Sequence, residues 1–390
     1  MPRNTHHLAN RMAQIAPFHV MEIIARTHEL EAQGRSIIHM EVGEPDFATA
    51  APIIAAAGRA LAEGRTRYTA TAGIAPLRAA IAGFYRDRFQ VQIAPERIIV
   101  TPGASGALLL AAAVLVNPDE QVLMADPGYP CNRHFVRLVD GEPVAIPVGP
   151  NHAYQLDAEL IDQHWGARTV AALIASPSNP TGTLVPLQAL RDIVAVTERR
   201  GGCLIMDEIY QGLVYGMEPS TVLGFTDRAF VVNSFSKYFG MTGWRLGWLV
   251  APPEYAREAE KLAQNLFISA SAPAQYAALA GFTPAALAIF EERRREFEKR
   301  RDFLLPALTS LGFHIPVMPA GAFYLYADCS RFSADSFDFA RRVLEEAGVA
   351  ITPGIDFGAH QAERHVRIAY TNSLENLAEG VERLRRLLNR

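Results

Sequence analysis

From about Arg97 onward the chain alternates short β-branched runs with longer helical patterns, and this alternation limits the fold more than any other feature. Ile98-Ile99-Val100 precedes a helix from Gly106, and further strand-like runs stand at 121–124, 170–175, 203–206, 230–232 and 246–250. Strands that read as continuous apolar runs are covered on both faces, so the pattern predicts an α/β fold with a mostly parallel sheet flanked by helices. No repeat and no Gly/Ser- or Pro-rich linker divides the chain, which predicts one interwoven unit. The rhythm then changes. Residues 284–308 suit a long amphipathic helix whose charges, Glu291 to Glu296 among them, serve its wet face. Beyond it, strand-like residues 323–326 and 366–369 flank a helix around 336–347, as in a smaller α+β layer.

Composition narrows the function. The 390 residues exceed one usual domain of roughly 100–200, so a large enzyme core or two domains is expected. With 37 basic and 41 acidic residues the net charge is −4, unlike a polycationic nucleic-acid binder, and any anion must be gripped locally. The three cysteines, Cys131, Cys203 and Cys329, have no CxxC spacing, which argues against a disulfide framework or a cysteine zinc site and suits a cytoplasmic setting. His6 and His7 read as solvated rather than metal-binding, because His-E-x-x-His is absent, and no metal is expected. The longest apolar stretch, 107–116, is about half the ~20 residues needed to cross a bilayer, and the N-terminus lacks a signal-peptide pattern.

Four segments carry chemistry, each next to a strand-like run. In Asn233-Ser234-Phe235-Ser236-Lys237-Tyr238-Phe239-Gly240-Met241-Thr242-Gly243-Trp244-Arg245, two hydroxyls and an arginine surround one lysine. Hydroxyls and a guanidinium suit a dianionic phosphate, and a desolvated lysine beside cations loses its proton and can form a Schiff base with an aldehyde. Thr101-Pro102-Gly103-Ala104-Ser105-Gly106 is a tight turn into a helix whose free amides make an anion site; it meets neither GxGxxG nor GxxxxGK[ST]. Asp207 ends an apolar strand, where open parallel sheets bind ligands, and needs a cationic partner such as a protonated pyridine nitrogen; a helix N-cap is the plainer alternative. Ser176-Pro177-Ser178-Asn179-Pro180-Thr181-Gly182 is a turn on the same sheet edge, and Asn179 can donate to a phenolate oxygen.

Taken in series, these segments resemble the class I, aspartate aminotransferase-like group of fold type I pyridoxal 5′-phosphate enzymes. The resemblance runs through nearly the whole chain, from Gly43-Glu44-Pro45-Asp46-Phe47 and Arg67-Tyr68-Thr69 to Arg367. It implies a large cofactor domain over 48–284 and a small domain of 1–47 with 285–390. It implies that Lys237 bonds the cofactor and later moves a proton between the substrate Cα and the cofactor's C4′. Asp207 would pair with the ring nitrogen, Tyr210 and Asn179 with the ring oxygen, and Tyr129 would stack on the ring. Gly103, Ala104, Ser105, Ser234, Ser236 and Arg245 would hold the phosphate, and Tyr68 would reach the phosphate of a neighbouring subunit in a homodimer. Arg367 would take the substrate α-carboxylate beside Gly43, with Phe18, Phe323 and Tyr324 along the side-chain pocket.

The resemblance has two gaps. Some aspartate-using relatives have a lysine where this chain has Ser105; others supply an arginine before the long helix, where nothing basic follows Lys261 until Arg293. A neutral amino donor is therefore expected, with a 2-oxo acid as acceptor. Two other readings remain. A β-lyase eliminating a thiol from cystathionine-like substrates shares the first step, Cα deprotonation. Ser234-Phe235-Ser236-Lys237 also satisfies the Ser-x-x-Lys pattern of an acyl hydrolase, but the accompanying Ser-Asp-Asn and Lys-Thr-Gly tripeptides are missing.

Overall fold

The computed structural model describes residues 8–389, so His6 and His7 lie outside the described residues. The alternating runs form a seven-stranded sheet of β1 (Ile98–Thr101), β2 (Gln121–Asp126), β3 (Glu142–Pro147), β4 (Thr169–Ala175), β5 (Cys203–Asp207), β6 (Phe230–Ser234) and β7 (Gly247–Val250). Their spatial order is β1-β7-β6-β5-β4-β2-β3. Strands β2 to β6 are parallel, and β7 runs antiparallel to both β6 and β1. Adjacent residues of one strand serve opposite faces: Val100 joins the core on one side and Ile99 the core on the other. Strand β3 is absent from the expected runs. It is the half-exposed edge strand Glu-Pro-Val-Ala-Ile-Pro, and its prolines are tolerated because only β2 pairs with it.

Parallel strands deliver their C-terminal ends to one rim, so Asp126, Ala175, Asp207 and Ser234 emerge side by side. Asp207 sits opposite Ala175 on one flank and Val232 on the other. Thr101 of β1 faces Gly247 of β7, which faces Ser234 of β6, so the turn after β1 arrives at the same rim.

A smaller layer stands over this rim. It contains α1 (His19–Ala32) and an antiparallel sheet in which β10 (His365–Ala369) lies between β8 (Tyr324–Asp328) and β9 (Thr352–Pro353). A short parallel pair joins Ile38–His39 to Val349–Ala350, so the N-terminal segment and the C-terminal part share one layer. The large layer contributes α2 (Gly103–Leu115), starting three residues before the expected Gly106, and α3 (Pro130–Leu138); the long helix is α4 (Pro284–Leu311). The expected helix near 336–347 is α5 (Ser336–Arg342), continued by a π turn over Val343–Ala347.

The charges of α4 depart from expectation. Within 291–296 only Glu292 and Arg295 are exposed, and further along the helix Arg300 and Arg301 are buried. Arg300 donates to both carboxylate oxygens of Asp46, at 2.8 and 3.1 Å, while Arg301 donates to the Pro319 carbonyl at 3.0 Å. Arg300 clamps the segment leading out of Gly43, and Arg301 holds the Pro319 stretch, rather than both wetting the helix.

Candidate active site

The rim and the smaller layer enclose a cavity of about 370 Å³. Its walls bring together Phe18, Gly43, Ala104, Ser105, Tyr129, Asn179, Asp207, Tyr210, Ser234, Ser236, Lys237, Arg245, Tyr324 and Arg367, residues that the sequence spreads over some 350 positions.

Lys237 follows β6 in a loop packed with aromatic rings, and its Nζ donates to the Gly43 carbonyl at 2.6 Å. Burial lowers its pKa to about 8, helped by the positive charges of Arg367 and Arg245, so a free amine is accessible near neutral pH. Asp207 is buried at the end of β5 with one hydrogen bond, from the amide of Ile209 at 3.2 Å. Burial pushes its carboxyl up to about 6. A turn follows Asp207, not a helix, so the N-cap alternative falls away.

Opposite them, the first amides of α2 have no carbonyl one turn back to receive them. Gly103 takes φ +72°, and a Cβ there would stand 2.8 Å from Arg245 Nη2, so only glycine lets the helix start approach that guanidinium. Arg245 itself sits in the left-handed region at φ 52°. Its Nη1 donates to the Thr242 carbonyl at 3.0 Å, and the Ser234 hydroxyl donates to that of Ser236 at 2.9 Å. Amides, hydroxyls and a guanidinium on one concave surface are the donor set a phosphate dianion needs.

On β10, Arg367 is buried and points into the cavity. It donates from Nη1 to Asn179 Oδ1 at 3.0 Å and from Nη2 to the Glu41 carbonyl at 2.6 Å; its Nε has no partner among the described residues. An under-committed guanidinium at the floor of a cavity is suited to a carboxylate. Pyridoxal 5′-phosphate fits this donor set. The buried Asp207, which forms no ion pair among the described residues, matches a pyridinium; the α2 amides with Ser234, Ser236 and Arg245 match a phosphate; and Lys237 matches an aldehyde.

Two expected residues stand off this wall without departing from their expected roles: Tyr68, expected to reach a neighbouring subunit, is on the surface, 82% exposed, and Gly103, expected to offer its amide, begins α2. Phe323, expected along the side-chain pocket, is not a wall residue. It is fully buried in the turn just before β8, packing on Tyr210 and Phe297, while Tyr324, the first residue of the strand, takes the cavity side. Leu108, Asp356 and Phe357 line the cavity without having been expected. Leu108 carried a usable signal, lying one helical turn beyond Ser105. Asp356 and Phe357 carried none, since only the closure of the smaller layer brings them in.

The family description "Aminotransferase class I and II" matches residues 35–384. The chain is 36% identical to a (5-formylfuran-3-yl)methyl phosphate transaminase of Methanocaldococcus jannaschii, over 98% of this chain and 100% of the relative. It is also 36% identical to a valine–pyruvate aminotransferase of Mycobacterium tuberculosis, over 95% of this chain and 96% of the relative. A crystal structure of an aminotransferase from Mycobacterium tuberculosis superposes with a TM-score of 0.95 at 36% identity, covering 99% of this chain and all of the other.

Proposed function

Because the chain belongs to the class I and II aminotransferases and is a pyridoxal 5′-phosphate-dependent aminotransferase, we propose that its amino donor is a neutral L-amino acid with an apolar side chain. The supporting observation is the cavity wall. Apart from Lys237, Arg245 and Arg367, no basic residue among those described lines it, whereas Phe18, Val20, Met21, Leu108 and Phe357 do. An acidic side chain would lose its water there without gaining a cation, while an apolar one gains roughly 25 cal/mol per Å² buried. The valine–pyruvate relative is named for such a pair of substrates.

When bound, pyridoxal 5′-phosphate supplies an aldehyde for an amine and a protonated ring that draws electrons from the substrate Cα. In this reading Lys237 would hold the aldehyde, and its Nζ, as a free amine, would accept and return the substrate Cα proton. Asp207 would keep the ring nitrogen protonated. Tyr210 and Asn179 would hydrogen-bond the ring oxygen, Tyr129 would pack against the ring, and Gly103, Ala104, Ser105, Ser234, Ser236 and Arg245 would hold the phosphate. Arg367 takes the α-carboxylate in a bidentate grip beside Gly43.

Residues 48–284 form the cofactor domain in this reading, with 1–47 and 285–390 as the small domain. The working unit is a homodimer in the cytoplasm. Exposed Tyr68, together with the exposed apolar side chains of Leu266 and Ile268, suits a partner surface, and three free cysteines suit a reducing compartment.

The test begins with borohydride reduction of the holoenzyme, which should leave a reduced pyridoxyl group on Lys237 in a peptide map; its absence there refutes the assignment. A screen of amino acids with pyruvate and 2-oxoglutarate, followed by the cofactor's absorbance, should favour valine, leucine, phenylalanine or alanine over aspartate. Faster conversion with aspartate overturns the neutral-donor reading. Pyruvate and ammonia released from an S-conjugate without any acceptor would favour the β-lyase.

A further inference from the structure

Tyr324 lines the cavity, yet its hydroxyl is committed elsewhere. It lies 2.9 Å from the hydroxyl of Tyr210, with both rings buried and set edge to face at 5.9 Å between centroids. On another side stands Gly43, where a Cβ would come within 2.2 Å of Tyr324 Oη, so any other residue there would push the phenol off its partner. The guanidinium carbon of Arg367 lies 4.3 Å from the centroid of the Tyr324 ring. Three groups from three stretches of chain thus fix one hydroxyl.

A phenol has one proton to give. If Tyr210 gives its proton to the cofactor's ring oxygen, the 2.9 Å contact is a hydrogen bond only when Tyr324 donates and Tyr210 accepts. We propose that Tyr324 is a positioning residue that donates to Tyr210, strengthens the hydrogen bond Tyr210 makes to the ring oxygen of pyridoxal 5′-phosphate, and relays to it the state of Arg367. The inference rests on the roles given above to Tyr210, Lys237 and Arg367.

The relay follows from polarisation. A hydroxyl that accepts a hydrogen bond becomes a better donor, so Tyr324 raises the donor strength of Tyr210. A cation over an aromatic face withdraws electron density from it, which makes the Tyr324 hydroxyl a stronger donor in turn. When a substrate α-carboxylate pairs with Arg367 that field is neutralised, and the hydrogen bond at the ring oxygen weakens as the substrate docks. Arg367 also donates directly to Asn179, the ring oxygen's other proposed partner, so the tyrosine route is tested by its own variant. Since its one proton goes to Tyr210, Tyr324 has none to donate to the amino donor's side chain.

The readout is the pH at which the absorbance of the bound cofactor titrates in the holoenzyme. Tyr324→Phe should raise that midpoint by about 0.1 to 0.3 pH unit, since only the roughly 10–30% cooperative strengthening of one neutral hydrogen bond is lost. Tyr210→Phe should raise it further, and Tyr210→Phe/Tyr324→Phe should match Tyr210→Phe alone, because Tyr324 acts through Tyr210. Adding 3-methylbutanoate, a carboxylate without an amino group, should raise the wild-type midpoint and raise that of Tyr324→Phe by less. Gly43→Ala, which displaces the same hydroxyl, should shift the midpoint in the same direction. An unchanged midpoint in Tyr324→Phe, or an equal shift with and without Tyr210, overturns the proposal and leaves Tyr324 a plain wall residue. If the wild-type cofactor cannot be reduced onto Lys237 the functional reading itself fails; if it can and Tyr324→Phe titrates like wild type, only this inference fails.

Discussion

Arg367 Nη1 donates to Asn179 Oδ1 at 3.0 Å across 188 residues of sequence, so the guanidinium proposed for the substrate carboxylate and the amide proposed for the cofactor's ring oxygen form one hydrogen-bonded unit. The same guanidinium is anchored by the Glu41 carbonyl and the Thr352 hydroxyl, which leaves its Nε edge uncommitted. A carboxylate arriving at Arg367 is therefore felt on the cofactor side without any large movement.

Arg367→Ala should lower kcat/KM for every amino acid by about 10²- to 10³-fold, since a charged pair is lost in all of them alike. Steady-state kinetics with valine, phenylalanine and alanine checks this. A loss confined to one donor would assign Arg367 to the side chain instead.

The apoenzyme should take up pyridoxal 5′-phosphate faster as pH rises. Below about 8 Lys237 is mostly the ammonium form, which has no lone pair, so the bonding rate should climb roughly tenfold per pH unit and level off above that pH. Stopped-flow absorbance measures it. A flat profile between pH 6 and 9 would contradict a buried, depressed lysine.

Asp207→Asn should keep the shape of the site and remove its charge. Cofactor binding should weaken modestly while Cα deprotonation slows by about 10²-fold or more, because the ring nitrogen loses the anion that keeps it protonated. Single-turnover kinetics with a Cα-deuterated donor separates the two effects. Equal losses in binding and deprotonation would argue against the ring-nitrogen role.

His39 lies between two carboxylates, 2.7 Å from the buried Glu41 and 3.0 Å from Glu31. The hydrogen bond to Glu41 raises its pKa to about 9, against the opposing pull of burial. A group whose folded pKa exceeds its unfolded value stabilises fully below the unfolded pKa, about 6.5 for histidine, and loses that contribution as pH rises through about 9. His39→Gln should therefore lower Tm by a few degrees at pH 6, with the gap closing as pH rises through that window. A difference that stays constant with pH would assign the loss to packing alone.

The strands of the sheet interior were legible because a strand covered on both faces must be apolar along its length, so 170–175 and 203–206 announce themselves. The polar turn after each such strand was legible for the same reason: the first residues that can hold a ligand are those where the apolar run stops. Lys237, Asp207 and Asn179, and the turn at the start of α2 that we propose holds an anion, could thus be singled out from local sequence. Strand β3 escaped because an edge strand has one wet face and one unpaired side, which admits the prolines and charge that disguise it.

The partnerships within the site were not legible. Tyr210 with Tyr324, Arg367 with Asn179, and Asp126 with the amides of Ala359 and His360 each join stretches of chain more than 100 residues apart. No local pattern encodes such a distance, and the neighbouring aromatics Phe323 and Tyr324 look alike until packing sends one to the core and the other to the cavity. What the chain's linear order determined was which groups reach the rim of the sheet, since strand period and burial are local properties. Which of those groups touch was decided only when the smaller layer closed over the rim, because hydrogen-bond geometry depends on where two separately built layers come to rest.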